Sequence, residues 1–150
     1  MITVHNVKTG PSREWGPNGS FTATVQFNGQ RVLTYYEPGD GGPAVCKDVD
    51  HDLLPAMKEH FKTEVLPHNP PDGSGVAVKY DLMQHICRLV DEWEATKQVK
   101  RWCRTQVVAV DASCDKGEYR TFKVRYTPEV AAKIRAQHPE ITEIVNERFL

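Results

Sequence analysis

The chain has almost no net charge: 19 Lys and Arg against 20 Asp and Glu leave a formal −1 over 150 residues. A molecule so balanced does not, as a whole, attract DNA or an anionic membrane. Nor does it contain an apolar run near the ~20 residues a membrane-spanning helix needs. Met1 is followed by ITVHNVKTG, which has neither the basic start nor the apolar run of a signal peptide. The four cysteines, Cys46, Cys87, Cys103 and Cys114, make no C-x-x-C pair. Without a secretory context their even number says little. Reduced thiols in a cytoplasmic protein are the expectation, with Cys87 and Cys103 as small core residues. Repeats, low-complexity tracts and domain linkers are missing too, so one domain over 1–150 is expected, long enough for a real core.

What is present is ordinary globular composition, 39% apolar and 26% charged. The clearest local pattern is SFTATVQFNGQRVLTYYE. Phe21, Ala23, Val25 and Phe27 alternate with Thr22, Thr24 and Gln26, the period of a half-buried strand. Asn28-Gly29 supplies the two positive-φ residues of a type I′ turn. A two-residue loop there sets Val25 opposite Val32 and Phe21 opposite Tyr36. Leu33 and Tyr35 then fall on the other face, which needs its own cover and is the place to look for a homodimer contact. ITVHNVK, residues 2–8, adds a strand ahead of a loop at 9–19, and EPGDGGPAV is turn chemistry.

DVDHDLLPAMKEHFKTEVL reads as a helix capped by Asp50 or Asp52, with Leu54, Met57, Phe61 and Val65 as its buried stripe. Pro55 is tolerable in the first turn. Residues 67–75 are a long loop. A second helix begins near Asp81 and lines up Leu82, Ile86, Leu89, Val90 and Trp93 on one face. A second hairpin follows, TQVVAVDA and EYRTFKVRYT around Cys114–Gly117. Thr127-Pro128-Glu129 opens a third helix with cap, N1 proline and acidic first turn. His138-Pro139-Glu140 interrupts it, and Ile141, Ile144 and Val145 anchor its continuation. The expected fold is α+β: two β-hairpins plus an N-terminal strand in an antiparallel or mixed sheet, packed by two central helices and a C-terminal helix pair.

The functional signal is KQVKRWCRTQ, residues 97–106. Lys97, Lys100, Arg101 and Arg104 are spaced i, i+3, i+4 and i+7, one face of a helix. That is also the face that carries the apolar residues of 82–93, whereas Val99, Trp102 and Cys103 lie opposite. Burial therefore flips near Ala95-Thr96: the helix either breaks there or runs on and packs against a different layer. In the second hairpin Tyr119, Thr121, Lys123 and Arg125 share one strand face, and Phe122, Val124 and Tyr126 the other, core-facing one. Across 97–125 eight Lys and Arg stand against three Asp and Glu, a local +5 that leaves −6 elsewhere. Such asymmetry points to a partner-binding face. The competing explanation is a solvated helix end that complements the helix dipole, with Lys123 and Arg125 paired to Asp111 or to the acidic helix at 50–64.

Candidates for chemistry are thinner. Asp40, Asp48, Asp50 and Asp52 crowd one segment with His51, but the EF-hand spacing is absent and a helix N-terminus accounts for them. His85 and Cys87, two apart on a helix, project about 200° from one another and cannot hold one ion. Cys46, just before a helix start and near His51, is a weak nucleophile candidate. DGSG at 72–75 lacks the lysine of a phosphate loop. No catalytic residue, metal or cofactor is assigned. The reading reached is a small non-catalytic binding protein, of inhibitor or adaptor type, that contacts an acidic protein partner. Its contacts are Lys97, Lys100, Arg101, Arg104, Tyr119, Lys123 and Arg125, with Trp102 anchoring the helix. Nucleic-acid binding by the same face is the alternative, although no RRM, KH, zinc-finger or helix-turn-helix signature is present. An enzyme or metal site using Cys46 and His51, or the Asp-rich segment at 40–52, comes third.

Overall fold

The computed structural model describes residues 1–9, 19–39, 42–68 and 80–150. The fold is α+β, with seven strands in two antiparallel sheets and three α-helices among the described residues. These residues divide into two compact units, Met1–Trp93 and Glu94–Leu150. Among the described residues no helix is long and apolar enough to cross a membrane. Most of the loops expected at 9–19 and 67–75, and Asp40, lie outside the described residues.

The first unit is built on a four-stranded sheet in the order β1 (Ile2–Thr9), β2 (Phe21–Phe27), β3 (Gln30–Glu37) and β4 (Val45–Lys47). Asn28 and Gly29 have φ of 50° and 82°, the left-handed pair that a type I′ turn demands. The register beyond that turn differs from expectation. Phe27 faces Gln30 and Gln26 faces Arg31, but Val25 faces Leu33 and Phe21 faces Glu37. Val32 is the extra residue of a β-bulge, and one inserted residue turns every later side chain of β3 to the other face. Leu33 and Tyr35 therefore point into the core, at 3% and 1% exposure, while Tyr36 points out. The place suggested for a homodimer contact is interior. Val32 is buried as well, so both members of the Val32-Leu33 pair are covered.

On the inner face of this sheet Ile2, Val4, Phe21, Ala23, Val25, Leu33 and Tyr35 pack with Met57 and Phe61 and with Ile86 and Val90. The opposite face is threonine-rich, with Thr3, Thr22, Thr24 and Thr34 half-buried. Helix α1 (Leu53–His60) is capped by Asp50, whose Oδ1 accepts from the amides of Asp52 and Leu53 at 3.0 Å each. The expected helical run to Val65 opens after His60 into a π-turn, Phe61–Val65, and a 3-10 turn, Leu66–His68. Pro67 has no amide donor with which to extend it.

Helix α2 (Leu82–Cys103) starts with a reciprocal cap: Gln84 donates its amide to Asp81 Oδ1 at 2.8 Å, and Gln84 Oε1 accepts from the Asp81 amide at 3.3 Å. The helix continues through Ala95-Thr96 without a break. Ile86 and Val90 belong to the core of the first unit, Val99 and Cys103 to that of the second. The flip in the sequence pattern marks the point where one helix passes from one core to another.

The second unit has a three-stranded sheet in the order β6 (Arg120–Phe122), β5 (Val107–Asp111) and β7 (Ile141–Ile144). Its central strand is apolar on both sides. Val107 and Ala109 pack with Ala131 and Ile134 of α3 (Pro128–Gln137), and Val108 packs with Val99 and Val145. Thr127 caps α3 as expected, its Oγ1 accepting from the Val130 amide at 3.2 Å. Beyond His138-Pro139, residues 141–144 form a strand and Val145–Phe149 a 3-10 turn, where the spacing predicted more helix. The central strand recruits Ile141–Ile144 as its second neighbour.

Candidate functional site

All seven residues nominated from sequence lie in the second unit. Lys97, Lys100 and Arg101 are exposed along the last turns of α2, and Arg104 is exposed in the turn just past its end. The strand β6 stops at Phe122, so Lys123 and Arg125 project from the segment between β6 and α3, both exposed. Val124, expected inside, is 41% exposed, because alternation lapses where the ladder ends. Tyr119, expected outside, is half-buried and packs with Val108 and Val145. Trp102, expected as an anchor, is 36% exposed and meets Tyr119 edge-on with ring centroids 6.5 Å apart. That contact joins the end of α2 to the start of β6.

Two shallow concavities divide the basic residues of α2. One, of about 440 Å³, is lined by Lys100, Arg104, Tyr126, Asn146, Arg148 and Phe149, among others. The other, of about 480 Å³, is lined by Glu94, Lys97, Gln98 and Arg101, with Ala95. Lys123 borders neither, and Arg125 neighbours the first only through Tyr126 in the chain. The aromatic and C-terminal side of the first concavity is what sequence reasoning missed. Only folding brings residues 126 and 146–149 beside Lys100.

The arginines of this unit fall into two groups. Arg120 bonds Glu140 at 2.6 Å, Arg135 bonds Glu147 at 2.7 Å, and Arg148 holds Glu143 through Nε and, at 2.6 Å, through Nη2. Among the described residues Arg101, Arg104, Lys123 and Arg125 form no ion pair. The pairing expected between Asp111 and Lys123 or Arg125 is not made; Asp111 lies 3.6 Å from Arg120 instead. Lys100 sits over the Phe149 ring at 5.2 Å.

Asp111 is buried, and its Oδ1 accepts from the hydroxyl and, at 2.8 Å, the amide of Ser113. These bonds, the hydroxyl first, hold its carboxyl below the usual range. Glu140 is lowered too, first by its own backbone amide and then by Arg120. A carboxylate whose folded pKa is depressed stabilises the fold above its unfolded pKa of about 4, and that contribution is lost as pH falls through the folded value. The contribution of these two carboxylates should therefore be constant from pH 7 to 5 and be lost below about pH 4. His85, lowered by burial, should bring a separate decline in the thermal midpoint below about pH 6.5. Asp111→Asn should lower the midpoint at pH 7 and make the acid drop shallower. Parallel acid limbs in a calorimetric pH series would remove Asp111 from the account.

The candidates for chemistry are dispersed. Cys46 is exposed on the edge strand β4, and among the described residues neither it nor His51 has a side-chain partner. Asp48 pairs with Arg31 at 2.9 Å, and Asp50 caps α1. His85 Nδ1 lies 2.8 Å from the Tyr80 hydroxyl, whereas Cys87 Sγ lies 3.9 Å from that of Tyr35. Burial, and secondarily the Arg88 cation, lowers the His85 pKa; burial raises that of Cys87. The two residues serve different packing contacts, as their angular separation requires. Among the described residues no three His, Cys, Asp or Glu side chains come together in a way that could hold a metal ion.

Nothing matches the chain among protein-family models, curated proteins or solved structures.

Proposed function

We propose that this is a non-catalytic binding protein, of inhibitor or adaptor type, that contacts an acidic protein partner through its basic surface at 97–125. The observation that carries the reading is the division among the cations of the second unit. Arg120, Arg135 and Arg148 are each matched by a glutamate, while Arg101, Arg104, Lys123 and Arg125 are exposed and without an ion pair among the described residues. The four unpaired cations named here lie together in one stretch of the sequence, at the end of α2 and after β6. Unmatched cations beside exposed Trp102 and half-buried Tyr119 have the composition of a protein-binding rim, where charge sets encounter rate and partner choice.

The test is capture from cell lysate with wild type and an Arg101→Glu/Arg104→Glu variant, with and without nuclease treatment. A protein that survives nuclease and loses about tenfold or more of its capture on charge reversal is the expected result. Capture abolished by nuclease alone would hand the surface to nucleic acid, whose affinity should also fall steeply with salt. Identical capture by both proteins would end the proposal.

A further inference from the structure

We infer that the concavity between the end of α2 and the C-terminal 3-10 turn is where an acidic peptide segment docks, taking a carboxylate between Lys100 and Arg104 and an adjacent aliphatic side chain against Tyr126. This rests on the reading above and narrows it to one part of the surface.

Each lining group has a definite remaining capacity. Asn146 has none: its Oδ1 accepts from the Val108 amide and its Nδ2 donates to the carbonyls of Cys103 and Gln106. Arg148 is spent on Glu143. Arg104 makes no ion pair among the described residues, and Lys100 has only the Phe149 ring beneath it. Two cations thus stand open on one rim; no Asp or Glu side chain lines the concavity, and the terminal carboxylate of Leu150, which also borders it, makes no ion pair among the described residues. The complement is a negative group of one or two charges next to an apolar one.

A volume of about 440 Å³ lies toward the lower end of ligand-site sizes, roughly 300–1,000 Å³, and suits one or two side chains rather than a folded surface. The position of Lys100 decides between an acidic peptide and a nucleotide of similar charge. Single-stranded nucleic acid is held largely by stacking bases on open aromatic faces. Here the ammonium already lies over the Phe149 face at 5.2 Å, so a base would have to displace it. A carboxylate can bind that ammonium where it stands, and the cation–π contact keeps the ammonium in place.

The experiment is fluorescence anisotropy on the full chain at fixed salt with a labelled peptide of three Glu-Leu pairs separated by Gly-Ser. Three comparison probes are used: the same peptide with each Leu replaced by Ser, the same with each Glu replaced by Gln, and a labelled single-stranded oligonucleotide. The expected result is that Lys100→Gln/Arg104→Gln raises Kd by about tenfold or more, Lys123→Gln/Arg125→Gln by about threefold or less, and Lys133→Gln not at all. Leu→Ser should weaken the peptide by about tenfold, and the oligonucleotide should bind more weakly than the peptide. Equal losses in the two double variants, with no penalty for Leu→Ser, would overturn the concavity as the docking point while leaving a broad acidic-partner surface standing. Failure of the peptide to bind wild type at all, or tighter binding of the oligonucleotide, would overturn both.

Discussion

Replacing Asn146 by alanine should cost the second unit about 3 kcal/mol, with a range of roughly 2–4. The residue is 4% exposed and ties three backbone positions together. It accepts from the Val108 amide at 2.8 Å and donates to the carbonyls of Cys103 and Gln106 at 3.0 and 2.9 Å. Those groups belong to the last residue of α2, the turn after it and the central strand β5. Alanine leaves all three without their partner, and a buried unsatisfied backbone group costs ~1–3 kcal/mol. Water can reach part of the turn, which keeps the sum below the maximum. Asn146→Asp is the sharper variant. It retains an acceptor for Val108 but sets a carboxylate against two carbonyl oxygens in a buried site. Denaturant unfolding should show it at least as damaged as alanine at pH 7, with partial recovery in mild acid as the carboxylate takes a proton. Wild-type stability in both would mean that the amide network does not hold the unit together. A side benefit of the pair is that both alter the floor of the concavity without touching Lys100 or Arg104.

The second large effect is expected at Tyr35. Tyr35→Ala should destabilise the first unit by about 3–5 kcal/mol and Leu33→Ala by about 2–5, as truncations in closed cores do. Tyr35 packs against Phe21 with ring centroids 5.7 Å apart, and its hydroxyl lies 3.4 Å from Glu37 Oε2 and 3.9 Å from Cys87 Sγ. Burial pushes its phenol above the ordinary tyrosine range, so it serves as a neutral core group. The control is one position along: Tyr36→Ala should cost only about 1 kcal/mol, because the residue is 37% exposed and gives up strand propensity and the Lys47 contact at 6.0 Å rather than core packing. Without the bulge the order would reverse, with Tyr36 the costly site and Tyr35 the mild one. Equilibrium unfolding of the three variants therefore reads the register directly.

That register shows where the sequence stops being explicit. The hairpin is written into it by alternation and by Asn28-Gly29, and both strands and the turn form where those signals place them. The bulge is not written in the turn at all. Its only visible trace is the adjacent apolar pair Val32-Leu33, which a flat ladder cannot bury together and a bulge can. Helix starts were legible for the same reason as the turn: Asp50, Asp81 and Thr127 each carry a side chain that accepts an orphan amide. The C-terminal strand was not, since Ile141, Ile144 and Val145 fit a helical stripe as well as a strand. Four residues are too few for periodicity to decide. What decides is that β5 has an open edge there, and this is a tertiary fact. β4 escaped notice because three residues within Gly- and Pro-rich sequence leave no pattern.

The candidate site divides along the same line. Its charges were legible from spacing along one helix. Its shape was not, because Tyr126, Asn146 and Phe149 reach Lys100 only through the packing of β5 against Val99 and Val145. Sequence also could not tell which cations would find carboxylates. Arg120 and Arg148 look no different in the chain from Arg104, yet Glu140 and Glu143 take up the first two.

The most direct test of an acidic-partner surface at 97–125 is a two-dimensional amide NMR titration of the isotopically labelled full chain at one salt concentration. The Glu-Leu peptide and a single-stranded oligonucleotide of equal charge are titrated in turn. The account predicts saturable shifts with the peptide at 97–104, 119, 123–126 and 146–149, and weaker, unsaturated shifts with the oligonucleotide. Peptide shifts absent from those segments, or a tighter and saturable response to the oligonucleotide, would contradict it.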